Sequence, residues 1–177
     1  MKRFLAGILV LFVFSGFTVQ AQAAESDVVT VRVSILASLS VDITETEVDL
    51  GSVSAGSTTV SSFGVTVTNT GSGIDETYSL SLVDPSGWSA SQSAAGVDTY
   101  VLNASFDSDG VLTWDVTDHA LSTTPVVCTG SVFAGDQTGV SVPQGGVRSL
   151  WFQFLAPTAT SVSEEQGIMV TITAQVS

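Results

Sequence analysis

Between Val60 and Val83 the chain alternates with period two. Phe63, Val65 and Val67 interleave with Gly64, Thr66 and Thr68, and Tyr78, Leu80 and Leu82 interleave with Ser79 and Ser81. Asn69-Thr70-Gly71-Ser72-Gly73 separates the two runs. Such alternation puts apolar side chains on one face of an extended strand and hydroxyls on the other, the pattern of an antiparallel sheet buried on one side.

Residues 1–24 are set aside before the fold is considered. Lys2 and Arg3 precede a mostly apolar run from Leu5 to Val19, and Ala21-Gln22-Ala23 supplies the small-x-small pattern of a leader cleavage site. An exported chain is expected, located outside the cell, at its surface or in the periplasm. The remainder, 25–177, fits one domain. Cys128 is the one cysteine, so no intrachain disulfide can form.

Charge excludes whole classes of partner. The formal net charge is −13, and Lys2 and Arg3 both fall in the leader, which leaves Arg32 and Arg148 against 17 acidic residues. Two arginines cannot build a nucleic-acid surface or a patch for anionic lipid. The field favours solubility and attracts cations.

Val28 to Ile43 reads as one long strand, with Val29, Val31, Val33 and Ile35 leading its apolar face. Fully extended at about 3.3 Å per residue it would reach roughly 50 Å, more than a compact sandwich needs. It either bends between sheets or lends Val28 to Ile35 to the sheet edge of another subunit.

Further strands are predicted over Thr99 to Phe106, Val111 to Val116, Val126 to Thr129, Ser131 to Phe133, Leu150 to Leu155 and Gly167 to Val176. In the fifth of these, Leu150, Phe152 and Phe154 face one way and Trp151, Gln153 and Leu155 the other, so both faces need cover. The expected fold is all-β, an antiparallel sandwich of about eight to ten strands.

The order Val53-Ser54-Ala55-Gly56-Ser57, Val65-Thr66-Val67-Thr68-Asn69-Thr70-Gly71, Tyr78-Ser79-Leu80-Ser81-Leu82, Val140-Ser141-Val142-Pro143-Gln144-Gly145-Gly146 and Ile168-Met169-Val170-Thr171-Ile172-Thr173-Ala174 resembles bacterial and archaeal immunoglobulin-like domains. These occur in secreted, surface-layer and cell-wall-associated proteins. The resemblance implies an immunoglobulin-like β-sandwich acting as a spacer, adhesion or assembly module, and it implies no catalytic residues.

Chemistry-bearing groups are sparse. His119 is the sole histidine and has no Gly-x-Ser-x-Gly partner motif. Asp107-Ser108-Asp109-Gly110 is the best ion-binding candidate, with Asp107 and Asp109 offered to calcium; a hairpin turn stabilised by aspartate is its structural alternative. No other cofactor is expected. Trp88 and Trp114 are candidates for stacking on a ligand, with Trp88 as a lid on the core the alternative. These features point to a non-enzymatic, exported structural subunit that assembles by β-strand or edge pairing with itself or another envelope protein. A carbohydrate or surface-ligand binding module and a secreted hydrolase are the rivals.

Overall fold

The computed structural model describes residues 30–34 and 37–177. The chain divides between Ser34 and Ile35 into two units. Of the first, residues 30–34 are exposed and form no regular secondary structure.

Among the described residues of the second unit there are nine strands and one four-residue helix. The strands are β1 (Val41–Ile43), β2 (Thr58–Val60), β3 (Val65–Asn69), β4 (Glu76–Val83), β5 (Ser89–Ala90), β6 (Thr99–Phe106), β7 (Val126–Val127), β8 (Val147–Leu155) and β9 (Met169–Val176); α1 spans Val116–His119. Six strands form the larger sheet in the order β1-β3-β8-β6-β5, with β2 also on β8, and β7-β4-β9 form a second sheet of three. All pairs are antiparallel except β5 with β6, which is parallel.

Strand β8 is the spine of the larger sheet. Leu150 pairs with Val65 on one side and with Phe106 on the other. The alternating side chains of β3, β4, β6 and β8 then meet in one core that includes Val65, Val67, Tyr78, Leu80, Phe106, Leu150 and Phe152. Burial of such side chains, at roughly 25 cal/mol per Å² of apolar surface, is what holds the two sheets to each other.

The closed immunoglobulin-like sandwich expected from the sequence is not what forms. The architecture is mixed, an incomplete, curled half-barrel with a small, unclosed sheet and a helix. Two of the departures from the expected strands lie between β6 and β8. Val111 to Val116 does not form a strand, and its end turns into α1, which Asp115 N-caps: Asp115 Oδ1 accepts from Thr117 N at 2.8 Å. Nor does Ser131 to Phe133, where Phe133 has φ +57°, in the left-handed region that no strand uses. Its N–H donates to Asp118 O at 2.9 Å and its ring is buried.

The long strand from Val28 to Ile43 is also corrected. Its strand content among described residues is β1 alone, joined by a bridge between Ser38 and Ser72. Val31 and Val33 are 83% and 87% exposed and belong to no strand; Val29 and Ile35, like the residues 1–24 expected to be a leader, lie outside the described residues. Assembly through strand donation or edge pairing therefore loses its basis, and with it the structural-subunit reading. Along β6, moreover, loop groups occupy the edge: Leu121 N donates to Leu102 O at 2.8 Å, Phe106 N to Phe133 O at 2.9 Å, and Gly135 N to Phe106 O at 2.9 Å.

Candidate functional site

The Asp107 turn leaves β6 and closes on itself. Asp107 Oδ1 accepts from Asp109 N at 3.1 Å and Gly110 N at 2.8 Å, and Oδ2 accepts from Asp136 N at 3.1 Å. The side chain is only 3% exposed. Burial opposes its ionisation, but the backbone N–H groups of Asp136, Asp109 and Gly110 outweigh burial and hold the carboxyl below its ordinary range. Asp109 Oδ1 accepts from Val111 N at 3.0 Å, while Asp136 accepts from both the N–H and the hydroxyl of Ser108. The oxygens offered to calcium thus already organise backbone donors. Among the described residues, no three His, Cys, Asp or Glu side chains gather as a metal site.

His119 is buried, 5% exposed. Its Nδ1 accepts from Asp115 N at 3.0 Å, which assigns the ring proton to Nε2, the donor to Ala134 O at 3.2 Å. Both ring nitrogens serve the loop. Half-buried Trp114 stands edge-on to this imidazole, ring centroids 5.7 Å apart.

Trp88 is likewise engaged by protein. It stacks on Phe154 at 6.0 Å, lies 6.3 Å from Tyr100, and donates from Nε1 to Thr160 Oγ1 at 2.8 Å. It packs half-buried against the core. Trp88 is thus engaged by Phe154, Tyr100 and Thr160, and Trp114 by His119; neither lines the cleft at the end of β4.

That cleft opens where β4 ends. Asp84, Ala90 and Gln92 form one wall, and Ser122, Thr123, Thr124 and Val126 the other, around a cavity of about 490 Å³. It is a groove open to solvent rather than an enclosed pocket, with a volume in the range of small-molecule sites. Two contacts hold the wall of Ser122 to Val126: Leu82 N donates to Ser122 O at 2.9 Å, and Leu80 of β4 pairs with Val126 of β7. Ser122 Oγ donates to Thr124 O at 2.8 Å and tightens the bend between.

Asp84 is the one charged group of the cleft. Its Oδ1 accepts from Ala90 N at 2.8 Å and from Tyr100 Oη at 2.9 Å. Its Oδ2 makes no hydrogen bond to any described residue. Burial first, and then the bond to Asp84, push the Tyr100 phenol far above its ordinary value, so it remains a donor. The carboxylate is held through one oxygen, and its other oxygen has no hydrogen-bond partner among the described residues. Asp84-Pro85-Ser86-Gly87 has the local composition of a turn; the partners that make Asp84 distinctive come from Ala90 and Tyr100, which no local motif announces.

Cys128 is buried, and burial raises its thiol to about 12. It is a core side chain of low thiolate character.

Comparison of the chain with known protein families, with curated proteins and with solved structures gives no match.

Proposed function

We propose that this chain is an exported, non-catalytic binding protein that holds a small, donor-rich polar molecule, of which a sugar is the simplest class, in the cleft beside Asp84. The observation that carries this reading is the fixed carboxylate at the cleft wall, with Oδ1 held by Ala90 N and Tyr100 Oη. A side chain immobilised before binding loses little entropy when a ligand arrives. Gln92, Thr123 and Thr124 add amide and hydroxyl groups, while Ala90 and Val126 give apolar area for carbon-bound hydrogens. Acid–base catalysis receives no comparable support, because the nitrogens of His119 are both engaged by backbone groups. Export rests on the leader-like residues 1–24.

Calorimetry of the mature protein against a panel of simple sugars, amino sugars, amines and polyols tests the proposal, beside Thr123→Trp, which introduces a large side chain at an exposed residue of the cleft lining. Saturable binding that Thr123→Trp abolishes is expected. Absence of binding across the panel, or binding indifferent to Thr123→Trp, would contradict it.

A further inference from the structure

We infer that the ligand carries a primary ammonium group, seated on Asp84 Oδ2; this rests on the cleft being the binding site. Ligand entry strips water from the carboxylate, and a neutral ligand leaves that charge uncompensated. The protein offers no compensation of its own in the cleft. From residue 37 onward the one Lys or Arg is Arg148, which donates from Nε to Thr138 O at 2.9 Å and from Nη1 to Val147 O at 2.9 Å. It does not line the cleft.

The geometry also selects among cations. A guanidinium binds a carboxylate best through both oxygens in a planar fork. Here Oδ1 already accepts two donors, from Ala90 and Tyr100. One open oxygen suits a compact point charge with rotatable donors, which is what an ammonium is. A metal ion needs several anionic or oxygen ligands, and Asp84 is the sole carboxylate of the cleft. The net charge of −13 draws a cation toward the protein and repels anionic competitors.

Amino sugars and lysine side chains both present this group. The test compares D-glucosamine with D-glucose, and Nα-acetyl-lysine methylamide with its norleucine analogue, at pH 6, by calorimetry on the mature protein. A second arm repeats each titration on Asp84→Asn, whose amide oxygen still accepts from Ala90 and Tyr100, with circular dichroism to verify folding. At least one ammonium ligand is expected to bind about tenfold more tightly than its neutral counterpart, the magnitude of one charge-assisted hydrogen bond; which pair shows it identifies the source. Asp84→Asn should erase that preference. Equal affinity for charged and neutral members, or a preference unchanged in Asp84→Asn, would overturn the ammonium inference and leave the cleft reading standing. If none of the four ligands binds, and the sugar and polyol panel also fails, both are overturned.

Discussion

Trp151 Nε1 donates to the backbone carbonyl of Asp107 at 3.0 Å, and the carboxylate of that same Asp107 gathers the N–H groups of the turn around it. The two residues come from neighbouring strands, β8 and the end of β6. Gly110, at φ +75°, lets the turn lie flat on the indole, since a methyl there would come within 2.7 Å of the ring. Gly64 closes from another side, where a methyl would be 2.6 Å from Nε1. The Asp107–Gly110 turn is a seat for the outer face of β8.

Trp151→Phe should therefore cost about 1–3 kcal/mol, from the lost hydrogen bond and a carbonyl left without its donor. Gly110→Ala should cost a similar amount through overpacking, with the positive φ adding to it. Urea unfolding monitored by circular dichroism checks both. Wild-type stability in Gly110→Ala would show that the indole does not rest on this turn.

Acid should loosen the same turn. Because the Asp107 carboxyl ionises more readily folded than unfolded, its contribution is complete above the unfolded value of about 3.9 and disappears as pH falls through the lower folded value. Asp107→Asn, with one oxygen replaced by a donor facing the N–H of Asp136, is expected to be about 1–3 kcal/mol less stable at pH 7. The gap should narrow below pH 4. Melting temperatures of both proteins between pH 7 and 2 measure it; a gap constant over that range contradicts the assignment.

Base should report on the core. The chain has two tyrosines. Burial, followed by the nearby Glu76, raises Tyr78 to about 12, and burial with the Asp84 bond raises Tyr100 further. Phenols that ionise less readily when folded contribute stability that is intact below the unfolded value near 10 and is lost as pH rises through the folded one. Absorbance at 295 nm should stay flat to about pH 11 and then rise together with loss of ellipticity. Ionisation of either phenol near pH 10 in folded protein would contradict this packing.

The chain before β1 is fastened through Glu76, which is fully buried. Its Oε1 accepts from Ser40 N at 2.7 Å, while Thr70 N donates to Ser40 O at 2.8 Å. Gly71 stands over this contact; a methyl there would collide with Glu76 Oε1 and lie 2.5 Å from Ser38 O. Gly71→Ala should cost about 1–3 kcal/mol and speed amide exchange at Ser38 and Ser40. Hydrogen-exchange mass spectrometry of residues 37–43 gives the answer, and unchanged protection would show that this fastening does not depend on Glu76.

Period-two alternation made several strands legible. Val65 and Val67, Tyr78 to Leu82, Tyr100 to Phe106 and Leu150 to Phe154 sit in strands with those side chains buried. The doubly apolar Leu150 to Leu155 marks the strand flanked on both sides by others. How strands divide between sheets was not legible, because alternation tells a strand which face to bury and not which neighbour to take. Alternation also overstated Val111 to Val116 and the run before β1, where the Asp115 cap and the Ser38 and Ser40 contacts prevail over side-chain period. The cleft was hidden for a related reason. Asp84, Gln92 and Ser122 to Thr124 are polar residues of separate loops, and only the pairing of β4 with β7 and of β5 with β6 brings them face to face.

Amide chemical-shift mapping tests the central claim, that the cleft beside Asp84 is where this protein binds. In ¹H–¹⁵N spectra of the mature protein titrated in turn with D-glucosamine and Nα-acetyl-lysine methylamide, at least one ligand is predicted to give saturable shifts at Ala90, Gln92 and Ser122 to Thr124, with the amides around Asp107 and His119 unmoved. Shifts centred on the Asp107 turn or on Trp114, or none at saturating ligand, would contradict it.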